Sequence, residues 1–366
     1  MKDTLKFITW PALAGVLAAL LILDRWVLPR DAGSQEQAAP ASYSAAVNRA
    51  APAVVNIYTA KLVNSPPSIP LLSQRLGQRL SRQRIERSLG SGVIMTREGH
   101  IITNHHVIAG ADAIQVLLHD ARTASAVVIG SDAATDLAVL KIDLPDLVPA
   151  QVADSDRLRV GDVVLAIGNP LGFGHSVTQG IVSALGRWGL QLNTYEDYIQ
   201  TDAIIHQGNS GGALVDSAGR LVGINTLIYT AQSQAGAGSA TGIGISLAIP
   251  ANLADYVMRD LIEYGEVIRG WLGVSVEPVK LAGGSQSQAL LVVGVAEASP
   301  AARAGIRAGD IITHINGEGV VDGRQTMHKI ARLRPGEAIA ISVQRDQQSL
   351  ELRAVVGAQG QSSLAG

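Results

Sequence analysis

The chain of 366 residues has no cysteine, which excludes disulfides, a thiolate nucleophile and thiolate metal ligands together. The same absence assigns no compartment, because an oxidising space permits disulfides without requiring them. Aromatic residues make up only 4% of the sequence, while Val, Ile, Ala and Gly abound. That balance favours short strands and tight turns over helical bundles. Neither sign of charge is in large excess: 29 Lys and Arg against 31 Asp and Glu leave a formal net charge of −2. Without a basic footprint, nucleic acid is not expected as a partner. The length suffices for two or three domains, each with its own core.

One long apolar run is present. Phe7 to Leu23 is a 17-residue uncharged stretch behind Lys2 and Lys6 and ahead of Asp24-Arg25, at the short end of the roughly 17–25 residues that cross a bilayer. A cleaved signal peptide is the competing reading, but no small-x-small site lies close behind Leu23; the nearest is Ala39-Pro40-Ala41. The expectation is an uncleaved anchor within residues 1–28, then an Ala, Gln, Ser and Pro-rich linker over 29–43. Charges flank the run on both sides, so they do not orient it.

Strand-like runs begin at Ala53-Val54-Val55-Asn56-Ile57-Tyr58. From Lys61 to Leu89 the pattern lapses into prolines and five arginines (75, 79, 82, 84 and 87), which reads as a solvated flexible loop, with contact to lipid headgroups or a partner as the alternative. Between Gly92 and Ala248, apolar runs of four to eight residues alternate with Gly, Asp and Asn turns. Such a series without intervening amphipathic helices predicts an antiparallel barrel or sandwich. Over Pro250 to Tyr264, Leu253, Val257, Leu261 and Ile262 recur at helical spacing, and Gly265 would stop the helix.

Chemistry concentrates in three segments. Gly208-Asn209-Ser210-Gly211-Gly212 presents a serine in a glycine-rich turn, Thr103-Asn104-His105-His106-Val107 offers a base, and Thr135-Asp136-Leu137-Ala138-Val139-Leu140 offers a carboxylate. A serine hydroxyl is a poor nucleophile at neutral pH unless an imidazole takes its proton and an acid fixes that imidazole. Glycines let such a turn present backbone N–H groups to a tetrahedral oxyanion; the hole falls on Gly208, Asn209 and Ser210. Asp132 competes with Asp136, yet it lies in a Gly-Ser-Asp turn, whereas Asp136 precedes a buried strand. Ile204 and Ile205, just before the serine, either wall an apolar specificity pocket or only pack the barrel. The histidine doublet lacks the His-Glu-x-x-His spacing of a zinc helix; no metal and no cofactor are expected. The other six histidines read as surface or core.

With Gly168 to Gly172 (Gly-Asn-Pro-Leu-Gly) and Gln200-Thr201-Asp202-Ala203 added, these segments resemble the HtrA family of serine proteases over about residues 44 to 357. Arg269-Gly270-Trp271-Leu272-Gly273-Val274 and the run from Ser299 to Ile312 look like a PDZ domain. The resemblance implies a mainly β fold: a chymotrypsin-like double β-barrel over 44–266 with a triad of His106, Asp136 and Ser210 between two six-stranded barrels. One PDZ domain then covers 268–357, and a tail covers 358–366. It further implies an activation loop with Arg187 as switch and Gln207 next to the oxyanion hole. A C-terminal peptide would be captured by the loop Trp271, Leu272, Gly273 and Val274. Met327 either lines the pocket for its last side chain or is an ordinary core methionine.

The implied partners are exposed C-termini of misfolded outer-membrane proteins, a transmembrane anti-sigma factor as substrate, the inner membrane and two further copies of the chain in a homotrimer. The implied location is the inner membrane with a periplasmic body. Two alternatives are a broad quality-control protease and a PDZ-based chaperone with little proteolysis.

Overall fold

The computed structural model describes residues 14–20, 42–65, 82–169, 174–190, 192–206, 208–229, 245–280, 288–320 and 323–358. The chain divides into two units, residues 1–44 and 45–366. In the first unit residues 14–20 form an exposed helical stretch. Most of the expected anchor and linker lies outside the described residues, among which no helix is long and apolar enough to cross a membrane.

The second unit begins within a short helix, Ser44–Ala50. Seven strands follow: β1 Val54–Ser65, β2 Arg82–Ile94, β3 His100–Asn104, β4 Ala113–Leu117, β5 Thr123–Ser125, β6 Val127–Asp132 and β7 Leu137–Lys141. They form one sheet in the order β5-β4-β1-β2-β3-β7-β6, with a core of Val55, Ile57, Ile94, Ile101, Val116 and Leu140. Alternation drives the burial: in β4, Ile114 and Val116 point inward between exposed Ala113 and Gln115.

Two expectations are corrected here. The first half has seven strands rather than a six-stranded barrel, because the short β5 adds to the outside of β4. The supposed loop over 61–89 is strand at both ends, since β1 and β2 stay paired from Val54↔Val93 out to Ser65↔Arg82, with Lys61 opposite Glu86. Composition misled because an antiparallel ribbon accepts many arginines once its backbone ladder is continuous. Residues 66–81 lie outside the described residues.

The second half, β8 Val163–Gly168, β9 Ser176–Arg187, β10 Tyr198–Thr201, β11 Ala213–Asp216, β12 Leu221–Tyr229 and β13 Ile245–Pro250, is a closed six-stranded barrel in the order β10-β13-β12-β11-β8-β9. The helix expected from periodicity runs Ala251–Tyr264 and ends at Gly265, whose φ of 77° is left-handed. Its buried Ala254, Val257, Met258 and Leu261 follow the 3.6-residue repeat. That face packs on both halves, against β6, β7, β12 and β13.

A two-stranded sheet pairs β14 Gly270–Trp271 with β21 Gly357–Ala358, and between them in the chain a third large sheet is built from β15 Val274–Lys280, β16 Gln288–Val295, β17 Ile311–Ile315, β18 Glu318–Gly319, β19 Ala338–Arg345 and β20 Gln348–Val355. Its main path is β15-β16-β17-β19-β20, over a core of Leu272, Leu290, Ile312, Ile339 and Ile341. A helix over Gly323–Ala331 packs beside the edge strand β15.

Two ion pairs fasten this last sheet to the rest. Arg334 clamps the buried Asp260 of the connecting helix with bonds of 2.6 and 2.8 Å, and the Ile268 N–H adds a third at 3.0 Å. Arg269 reaches Asp132 at 2.5 Å, with both side chains largely buried. Asp132 also takes the Thr135 hydroxyl, so it caps a turn, as its sequence context predicts, and holds the neighbouring sheet as well.

Candidate active site

His106 sits on a single helical turn, His105–Ile108, directly after β3. Asp136 lies four residues beyond β6 and adopts φ 58°, a costly conformation for a residue with a side chain. Its surroundings hold it there. Its carbonyl accepts from the His105 N–H at 3.1 Å and the Asn104 side-chain amide at 3.0 Å. Its carboxylate accepts from the His106 N–H at 2.9 Å, His106 Nδ1 at 2.7 Å and the Thr226 hydroxyl at 3.1 Å. A carboxylate only accepts, so Nδ1 carries the imidazole proton and Nε2 is left as the basic nitrogen. Half of the His106 side chain faces solvent, while Asp136 is buried.

Ser210 is held differently. Its hydroxyl donates to the Thr226 carbonyl at 2.5 Å, so among the described residues the proton is directed away from His106. Thr226 therefore holds both ends of the arrangement, its side chain on Asp136 and its carbonyl on the serine. Nothing in the sequence singles it out. Replacing Thr226 by Val keeps the carbonyl and removes the hydroxyl. The expected result is a kcat/KM lower by roughly 10- to 100-fold with an unchanged circular dichroism spectrum, since a hydrogen bond to a charged group contributes about 1.5–3 kcal/mol.

The serine loop is pinned against the first sheet. The Ser91 N–H donates to the Ser210 carbonyl at 2.9 Å, and the Ser91 hydroxyl donates to the Gly208 carbonyl at 2.8 Å while accepting from the Asn169 N–H at 3.0 Å. The Gly208 and Ser210 N–H groups have no acceptor among the described residues, which leaves them free for an oxyanion. Asn209 is a correction: its N–H is already spent on the His206 carbonyl at 2.9 Å. Gln207 lies outside the described residues.

Gly211 shows how tightly the loop is pressed. A Cβ there would stand 2.1 Å from the Ser91 carbonyl oxygen, at a φ of +83°. Gly211→Ala is expected to cost more than about 2 kcal/mol, as left-handed strain and backbone displacement add; an unchanged urea midpoint would contradict this.

The two isoleucines separate. Ile205 is fully buried in the barrel core with Val182, Ile199 and Ala203, which corrects its expected place in a pocket wall. Ile204 is 53% exposed. Neighbouring residues of an extended segment point to opposite sides, so only one of the pair can face a substrate.

Arg187 ends β9, and its Nε donates to the Gln200 side chain at 2.8 Å. The loop beyond it is organised by the buried Glu196, whose carboxylate accepts from the N–H groups of Leu190 at 2.8 Å, Leu192 at 2.6 Å and Asn193 at 3.3 Å. Tyr195 then links this loop to the third sheet. The Arg269 guanidinium lies 4.4 Å from its ring centroid, and the His328 ring of helix Gly323–Ala331 lies 5.4 Å away. A cavity of about 130 Å³ at this junction is lined by Trp188, Tyr195, Tyr256, Arg269 and His328.

In the third sheet, the Leu272 carbonyl accepts from the Ala301 N–H at 2.9 Å and the Gly273 carbonyl from the Ala296 N–H at 2.8 Å. Across a trans peptide, C=O and N–H point opposite ways. The Gly273 and Val274 N–H groups therefore face away from these partners, at the start of edge strand β15. Trp271 pairs with Gly357 in β21. Met327 is partly buried and packs on the sheet's core.

Comparison with known proteins agrees with this architecture. The trypsin-like peptidase domain family matches residues 90–224, and the PDZ domain family matches residues 270–356. The serine endoprotease DegS of Escherichia coli strain K12 is 44% identical over 324 residues, covering 87% of this chain and 86% of DegS. A probable periplasmic serine endoprotease DegP-like of Pseudomonas savastanoi pv. phaseolicola is 41% identical over 365 residues, or 94% of this chain and 74% of that protein. Among solved structures, the HtrA-type protease AlgW with a decapeptide is 50% identical, with a TM-score of 0.70, covering 87% of this chain and 99% of that one. Fold and relatives together define a serine endopeptidase with a trypsin-like domain and one PDZ domain. The chain belongs to the HtrA family of serine proteases, on the side of DegS and AlgW.

Proposed function

We propose that the chain is a membrane-anchored, periplasmic, trimeric stress sensor, whose PDZ domain binds exposed C-termini of misfolded outer-membrane proteins and thereby switches on cleavage of a transmembrane anti-sigma factor. The observation that carries this reading is the serine: His106 and Asp136 are assembled, yet the Ser210 proton is committed to the Thr226 carbonyl. An enzyme poised in this way awaits a signal. The free N–H groups at the edge of β15 suit a peptide added as a strand with its carboxylate at Gly273 and Val274. AlgW, 50% identical, has been solved with a decapeptide, which supports peptide binding by this chain.

In the active state Ser210 turns its hydroxyl to His106 Nε2, which takes the proton as Oγ attacks the scissile carbonyl. The Gly208 and Ser210 N–H groups bind the oxyanion, and the imidazolium, held by Asp136, protonates the leaving amine. Water then hydrolyses the acyl-enzyme by the same base. Residues 1–28 anchor the chain, 44–266 form the protease domain and 268–357 the PDZ domain.

Purified periplasmic domain of a candidate anti-sigma factor, incubated with the full chain and a panel of C-terminal peptides, is expected to be cut at one place and only with a matching peptide. Peptide-independent degradation of unfolded casein at a comparable rate would instead indicate a broad quality-control protease. Mass spectrometry of the native chain is expected to find residues 1–23 retained; a soluble form lacking them would refute the anchor.

A further inference from the structure

His119 and His175 stand outside every role given above. His119 follows β4 and is exposed; His175 immediately precedes β9 and is half-buried. Their ring centroids are 4.8 Å apart with planes 12° from parallel, and their Nδ1 atoms are 3.1 Å apart. The His175 Nε2 lies 2.9 Å from the Val54 carbonyl oxygen. A carbonyl only accepts, so Nε2 carries the proton and the neutral ring keeps a lone pair on Nδ1, aimed at His119. As the pair stands, the His119 Nδ1–H donates into that lone pair.

We propose that His119 and His175 form a two-imidazole site for a borderline divalent transition-metal ion such as Zn²⁺ or Cu²⁺. Metal–nitrogen bonds of about 2.0–2.1 Å put two ligand nitrogens about 2.9 Å apart at a right angle and about 3.3 Å apart at the tetrahedral angle. The observed 3.1 Å lies between these limits. The hydrogen bond between the two Nδ1 atoms shows that they face one another across that gap. The His175 Nε2–H on a backbone carbonyl is the outer hydrogen bond that fixes the tautomer and orientation of a metal-binding imidazole. His119 can supply its half at little cost: its proton moves from Nδ1 to Nε2, which water then solvates, and no proton is lost overall. Water fills the remaining positions. The adjacent charges are paired, Asp120 with Arg122 at 2.8 Å, so neither carboxylate nor guanidinium dominates the site. An ion there would tie the turn after β4 to the start of β9, joining the two halves of the protease domain.

Zn²⁺ titration of the purified full chain against a competing chromophoric chelator tests the site, together with Cu²⁺ electron paramagnetic resonance and thermal melts. One equivalent of Zn²⁺ is expected to bind, the melting temperature to rise with it, and one equivalent of Cu²⁺ to show two nitrogen ligands. His119→Ala removes an exposed side chain and leaves the fold and the metal-free peptidase activity intact. It is expected to weaken Zn²⁺ binding by at least about 10-fold and to abolish the thermal rise, and His175→Ala is expected to do the same. Identical titrations of the parent and His119→Ala, or loss of the bound equivalent in His106→Ala instead, would overturn the proposal.

Discussion

Ser210→Ala is expected to lower peptide-bond cleavage by on the order of 10⁴-fold or more, and His106→Ala by a similar factor, because nucleophile and base act as one unit. The same reason makes the double variant little worse than either single one. The fold should survive the serine change, since among the described residues the hydroxyl makes a single bond, to the Thr226 carbonyl. Asp136 is a different case. Its carboxylate gathers the His106 N–H, the His106 ring and the Thr226 hydroxyl, so Asp136→Ala removes both an orienting acid and the partner of buried donors. Asp136→Asn is the cleaner test, as it keeps the shape and loses the fixed tautomer. Measured as kcat/KM on a peptide substrate, with circular dichroism and melts as controls, near-normal turnover by folded Ser210→Ala would end the protease assignment for this site.

What was legible in the sequence divides along physical lines. Ser210, His106 and Asp136 could be picked out because each lies in a segment whose neighbours are constrained too: glycines at a tight turn, or a buried strand beginning at Leu137. The helix from Ala251 to Tyr264 was legible because its apolar spacing is itself the cause of its packing. Thr226 and Ser91 were not. Hydroxyl residues in strands are common, and their roles arise only where β12 and β2 bring them to a loop far away in sequence. The pair Ile204 and Ile205 shows a finer limit, since apolar character alone does not tell which of two neighbours faces inward. Asp132 and Arg269, separated by 137 positions, form an ion pair that no local pattern announces.

On the function proposed above, the resting enzyme is expected to cleave slowly until a C-terminal peptide occupies the PDZ groove, and the contacts between the third sheet and the protease offer a route for such coupling. Arg269 binds Asp132 at 2.5 Å and covers the Tyr195 ring, while the ring of His328, on the helix that flanks the groove, lies 5.4 Å from the same ring. Asp132 and Thr135 lead directly into Asp136, and Tyr195 leads through Glu196 into the loop that carries Arg187. A peptide that wedges between β15 and helix Gly323–Ala331 bears on His328 first. It biases the arrangement only by binding one state more tightly than the other; a coupling of about 3 kcal/mol corresponds to roughly 150-fold. Arg269→Ala is therefore expected to raise peptide-free cleavage and shrink the peptide's effect, whereas Arg187→Ala should weaken activation while leaving peptide affinity intact. Deleting residues 268–357 should abolish the response to peptide. Cleavage rates measured with no peptide, with a C-terminal peptide and with its amidated form separate these outcomes, and peptide affinity is read independently by fluorescence anisotropy. Equal rates under all three conditions, with the peptide shown to be bound, would mean that the groove does not govern Ser210.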